Sequence, residues 1–211
     1  HTGVLEHLLV GQGKVTEILF SLNGGHQLAS FSESDTDSLV VHVYDMTTGQ
    51  CSATIEGSLP RTDLIPAYAS DGSKLRVASS GGAVHTWDTT TGKSLRIIET
   101  GCENPVRFSL DGSLLITHSG DLSESGKGTL QVWDMNKGEC VWVLGESDGW
   151  VNAGLSPDNQ WLVSSSGNDT TIRLWCLRTG KLIAESVNHR GQKYRLAVDR
   201  AITNGGSESG D

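Results

Sequence analysis

The sequence predicts an all-β fold made of four-stranded antiparallel blades repeated around an axis, and three observations carry this. First, the stretch TLQVWDMNKGECVWVL (129–144) alternates Leu130 and Val132 with Gln131 and Trp133, a period of two that suits an extended strand with two different faces. Second, Asp134 to Gly138 breaks the pattern with polar and small residues and Cys140 to Leu144 resumes it, giving a strand, a tight turn and an antiparallel strand. Third, the unit recurs as VVHVYDMTTGQCSATI, AVHTWDTTTGKSLRII and TIRLWCLRTGKLIAES, with its aromatic at Tyr44, Trp87, Trp133 and Trp175, spaced 43, 46 and 42 residues apart. A period in the low forties is the length of one blade. A single blade cannot bury its own faces, whereas stacked neighbours can.

In chain order, residues 1–10 read as the Thr2-Gly3 turn and fourth strand of a preceding blade. Repeat 1 spans 15–56, with an inner strand over Val15 to Ser21 and a second strand over Gln27 to Phe31. Repeats 2, 3 and 4 span 63–99, 105–144 and 150–187, and 191–211 begins a further blade. In each repeat a glycine stands five residues after the aromatic, at Gly49, Gly92, Gly138 and Gly180, so the turn length is constant. The positions one and three before the aromatic are Val43 and Val41, Thr86 and Val84, Val132 and Leu130, Leu174 and Ile172, apolar apart from Thr86. Two repeats carry an insertion between their second and third strands. Phe20 to Tyr44 covers 24 residues and Phe108 to Trp133 covers 25, against 19 from Tyr68 to Trp87 and 20 from Leu155 to Trp175. The excess lies in SESDTDSL (32–39) and GDLSESGKG (120–128).

These residues resemble the WD-repeat β-propeller family, whose third strand typically closes on Trp-Asp. Trp87-Asp88 and Trp133-Asp134 match the pair, Tyr44-Asp45 keeps a planar aromatic, and Trp175-Cys176 loses the acid. Phe20-Ser21-Leu22-Asn23-Gly24, Phe108-Ser109-Leu110-Asp111-Gly112 and Leu155-Ser156-Pro157-Asp158-Asn159 look like the family's turn between first and second strands, with Tyr68 to Gly72 a looser copy. The resemblance covers nearly the whole chain. It implies a propeller of about seven blades of which this chain is a piece, although the amino-terminal strand completing the last blade would also fit the partial ends. It also implies a buried polar network, for which Asp169, six before Trp175, matches the acid with Ser165 as its partner. Ser38, Gly81 and Lys127 stand at the acid's place in the other repeats, and Gly145-Glu146 lacks the family's His. Packing of the tryptophans is therefore expected to contribute more stability than the polar ties.

The totals agree. With 36 % hydrophobic and 19 % charged residues and only 4 Pro, the composition is that of a globular domain. No apolar run approaches the roughly 20 residues of a membrane-crossing helix, and no basic start precedes an apolar core as in a signal peptide. The chain begins with His1, which leaves room for a removed leader or domain. A net charge of -9 repels phosphate backbones and argues against nucleic acid. Arg190, Lys193 and Arg195 around Tyr194 form a small basic cluster that reads as a solvated rim. Cys51 and Cys140 stand at equivalent places on different repeats, too far apart to bond, and no CxxC suggests zinc. Unpaired thiols point to an intracellular, reducing compartment, cytoplasmic or nuclear.

Catalytic and cofactor motifs fail on inspection. Thr91-Gly92-Lys93-Ser94 has Trp87 where a phosphate loop needs its first glycine, Gly126-Lys127 has Asp121 there, and both lie in hairpin connections. The seven histidines show neither HExxH nor ligand spacing beside a carboxylate, and no GxSxG is present. Asn168-Asp169-Thr170 fits a glycosylation acceptor, an unmodified one inside a cell. The expectation is no catalytic residue, no cofactor and no metal. The function expected is a non-catalytic scaffold for a protein or peptide partner and for the remaining blades of its parent chain. The alternative is the sensor or autoinhibitory region of a larger signalling NTPase. Candidate contacts are Arg61, Glu103, Asp148 and Trp150 in the connections entering inner strands, and Asp35, Asp37, Asp121 and Glu124 in the insertions, whose charge favours a basic peptide. Trp150 fits two roles equally, a binding hot spot and a lid on the core between blades.

Overall fold

A computed structural model of the chain describes residues 7–9, 13–33, 39–57, 64–102, 104–120, 127–148, 151–166 and 171–187. They form four sheets, each a consecutive antiparallel meander. Blade 1 is β1 (Lys14–Phe20), β2 (Gln27–Glu33), β3 (Leu39–Asp45) and β4 (Gln50–Gly57). Blade 2 is β5 (Ile65–Tyr68), β6 (Lys74–Ala78), β7 (Ala83–Asp88) and β8 (Ser94–Glu99). Blade 3 is β9 (Asn104–Phe108), β10 (Leu114–Gly120), β11 (Lys127–Asp134) and β12 (Glu139–Asp148), and blade 4 is β13 (Val151–Leu155), β14 (Trp161–Ser166), β15 (Thr171–Cys176) and β16 (Lys181–Val187). The first strand of each blade touches that of the next, which puts β1, β5, β9 and β13 on the inside.

Period-two patterning becomes stacking between blades. Phe31, Val41 and Val43 of blade 1 pack on Tyr68, Leu75, Val77 and Trp87 of blade 2. Ala78 and Val84 of blade 2 meet Phe108, Leu115 and Met135 of blade 3, with Trp133 half-buried beside them. Ile116, Leu130 and Val132 of blade 3 meet Ala153, Leu162, Trp175 and Leu177 of blade 4. Trp87, Trp133 and Trp175 thus fill equivalent places between blades, where truncating a core tryptophan costs about 3–5 kcal/mol.

The turn after each aromatic is built alike. The carboxylates of Asp45, Asp88 and Asp134 accept the backbone N–H groups two and three residues ahead, at 2.7–3.1 Å. The glycines that follow have positive φ, between 67° and 76°, a conformation that glycine adopts without a Cβ penalty. Cys176 replaces the acid in blade 4, and its thiol is drawn below the ordinary range, first by the Thr179 hydroxyl and also by the backbone of Arg178 and Thr179. The turn between first and second strands likewise needs a left-handed residue, which is Gly24, Gly72 and Gly112 in three blades and Asn159, at φ 57°, in the fourth. Each pairing of third with fourth strand has a register shift directly before the aromatic, a bulge that twists the outer strand.

One expectation is corrected. The insertion of repeat 3 is shorter than 120–128, because β10 runs on to Gly120 and β11 starts at Lys127; Gly120 pairs Gly128 and Lys127 pairs Asp148. That extension also carries β12 four residues past Leu144, so the backbone of Asp148 ends a strand instead of lying in a connection. The indole of Trp175 donates to Ser164 Oγ at 2.9 Å, while Asp169, the expected partner of Ser165, lies outside the described residues. Trp175 is in register with Leu162, so alternation puts Ser164 on its side of the sheet and Ser165 on the other. Trp133 makes the matching bond to Thr117 Oγ1 at 3.1 Å, whereas Val77 fills that place in blade 2.

Candidate functional site

The insertions emerge from the ends of second strands, and strand pairing holds their stems. Glu33 is in register with Leu39 at the base of 34–38, and Gly120 with Gly128 at the base of 121–126. At the second stem the Ser119 and Thr129 hydroxyls lie 2.7 Å apart. A Cβ on Gly128 would strike the Ser119 carbonyl and the His118 ring, so only glycine fits beside that buried histidine. Burial lowers the pKa of His118.

The connections entering inner strands leave from the same end. The one before β9 is fastened by Thr100, whose backbone N–H and hydroxyl both donate to the Gly82 carbonyl at 2.8 Å. Cys102 then donates its thiol hydrogen to Gln131 Oε1 at 3.1 Å, tying the connection to blade 3. Glu103 follows this anchor directly. Of the candidate contacts, Asp148 is placed by its backbone at the end of β12, while Asp35, Asp37, Arg61, Glu103, Asp121, Glu124 and Trp150 lie outside the described residues, as does Asp169. What the structure brings to one end is their stems.

The opposite end, where first strands turn into second strands, is tied from blade to blade. Asn23 donates to the Asp71 carbonyl at 3.1 Å, and Asn159 donates to Asp111 Oδ2 at 3.0 Å and to Ser113 Oγ at 3.2 Å. The buried guanidinium of Arg76 donates to the Gly112 carbonyl at 2.6 Å and to Asn136 Oδ1 at 2.8 Å. Partial burial pushes the Asp111 carboxyl up. The hydroxyls and N–H groups of Ser109, Ser113 and Asn159 outweigh it and hold the pKa at about 2.

The repeat pattern does not single out Arg107. It is one residue before Phe108, where the other repeats have Leu19, Ala67 and Gly154, and that lone cation among neutral siblings is the signal the sequence contains. Among the described residues no group of three or more His, Cys, Asp or Glu side chains is arranged to hold a metal ion.

No protein-family model matches the chain. Individual relatives do. A nuclear distribution protein PAC1 from Arthroderma otae is 31 % identical over 157 residues, covering 71 % of this chain and 34 % of its own length. An F-box/WD-40 repeat-containing protein from Arabidopsis thaliana is 29 % identical over 182 residues, covering 81 % of this chain and 32 % of its own. The chain belongs to the WD-repeat proteins. The small ribosomal subunit protein RACK1 of Caenorhabditis elegans is similar over a shorter stretch, 32 % identical over 93 residues, covering 44 % of this chain and 26 % of its own. The WD-repeat chain thus spans about a third or less of the relatives it matches. Its four sheets supply the blades expected of that family. These relatives support an interaction scaffold and do not favour the NTPase reading.

Proposed function

We propose that this WD-repeat chain is a non-catalytic, intracellular scaffold that uses the end of the propeller bearing the acidic insertions to hold a basic segment of a protein partner. The observation that carries the reading is the pairing of two lengthened acidic connections with rigid stems at the same end of the blades. A stem fixed by strand pairing spends little entropy on docking, and clustered carboxylates speed encounter with a cationic partner. Trp150 and Glu103, at the entrances to β13 and β9, supply contact area and charge beside them. Unpaired thiols at Cys51, Cys102, Cys140 and Cys176 suit a reducing compartment.

The test is a fluorescent peptide of alternating arginine, lysine and glycine, titrated against the chain and against Asp35→Lys, Asp37→Lys, Asp121→Lys and Glu124→Lys combined. We expect affinity to fall at least about tenfold on charge reversal and with rising salt. Unchanged affinity in the combined variant refutes the acidic-loop reading.

A further inference from the structure

At the end opposite the acidic insertions, the inner strands of blades 1, 2 and 3 enclose a cavity of about 230 Å³. Its walls include Leu19, Phe20 and Leu22 from blade 1, Ile65 and Pro66 from blade 2, and Leu110 from blade 3. Phe20, Leu22 and Leu110 are exposed, so the apolar lining reaches solvent. Such a cavity has the size of one large aliphatic or aromatic side chain.

Arg107 is the charged residue in this lining, and it also borders a second, polar cavity of about 290 Å³ with Asn152 and Ser165. Its side chain is exposed, and among the described residues no carboxylate lies within salt-bridge distance of it. This isolated guanidinium stands at the lip of an apolar cavity in a chain of net charge -9. A fixed fork of donors of this kind pairs with a carboxylate in two parallel hydrogen bonds.

We propose that this cavity binds a protein segment in which an acidic residue adjoins a large apolar one: the apolar side chain fills the space between β1, β5 and β9, and the carboxylate pairs with Arg107. Charge complementarity commits the site to an acidic segment. It is therefore separate from the basic partner of the other end, and the two sites share no residue. The geometry also sets an order of contributions. Apolar burial supplies affinity, and Arg107 supplies orientation and the preference for an acid.

The experiment titrates a fluorescent peptide Gly-Ser-Glu-Leu-Phe-Ser-Gly, with companions carrying Gln for Glu or Ala for Leu-Phe, against the whole chain by anisotropy. Each companion is expected to bind at least about tenfold more weakly than the parent peptide. Arg107→Glu should abolish the preference for Glu over Gln, and Arg107→Lys should retain part of it. Because Arg107 is exposed, both variants should melt as the wild type does, and Leu110→Asp provides an independent block of the cavity. Absence of saturable binding, equal binding of the Glu and Gln peptides, or binding unaffected by Arg107→Glu and Leu110→Asp overturns the proposal. Charge reversal of the acidic insertions should leave this binding intact, so the two sites fail separately.

Discussion

The ring of Trp142 in β12 covers Gly180 in the turn of the next blade, occupying the space that a Cβ on that glycine would need. Its indole N–H donates to the Leu177 carbonyl at 2.7 Å in the same turn. The arrangement recurs around the structure, with Arg96 over Gly138, the Thr54 carbonyl over Gly92 and His7 against Gly49. Each outer strand therefore leans on the following blade's turn, and the glycine is needed twice, for its positive φ and for its missing side chain.

Gly180→Ala should expose both requirements. A left-handed alanine costs about 1–2 kcal/mol, and displacing the Trp142 ring adds about 1–3 kcal/mol. Gly25 also has positive φ but open space around it, so Gly25→Ala should incur the first cost alone. Urea unfolding midpoints of the two variants separate the contributions, and equal losses would show that the ring moves freely.

Arg76 joins blades 2 and 3 through hydrogen bonds to Gly112 and Asn136. Burial lowers its pKa, while Asp111, Asp71 and Asp134 favour the charged form. Arg76→Ala should destabilise by about 2–4 kcal/mol, because two acceptors lose their donor. Arg76→Lys keeps the charge but not the fork, and about half that loss is expected. A double-mutant cycle with Asn136→Ala measures the coupling, and additive losses would remove the clamp.

Asp111 should make stability depend on pH at the acid end. Its folded pKa of about 2 lies below the unfolded value of about 3.9, so its contribution is present above pH 4 and is lost as pH falls through 2. With the carboxylate partly open to solvent, the contribution is on the order of 1 kcal/mol. Asp111→Asn should flatten that part of the curve in denaturant titrations between pH 5 and pH 2, and parallel curves would disprove it.

Tyr68 is buried in the core between blades 1 and 2, and its hydroxyl has no hydrogen-bond partner among the described residues. Burial pushes its pKa above the ordinary range. Tyr68→Phe removes an unsatisfied polar group and should raise stability by about 1 kcal/mol. A lower melting temperature in the variant would mean that the hydroxyl is solvated.

Strands, turns and repeat period were determined by the sequence alone. Alternation around Tyr44, Trp87, Trp133 and Trp175 and the glycine five residues later act over a few bonds, through side-chain direction and backbone φ. The tertiary structure decided what those local rules leave open. Val163 and Ile172 fit the apolar pattern as well as their counterparts Ile116 and Leu130. Yet the first pair is 43 % and 48 % exposed and the second 0 % and 2 %, because blade 4 covers one and no described strand covers the other. The bond from Trp175 to Ser164 and the gathering of Arg107 beside Phe20 and Leu110 are of the same kind. Burial and approach depend on residues dozens of positions away, and those distances are set only when blades stack.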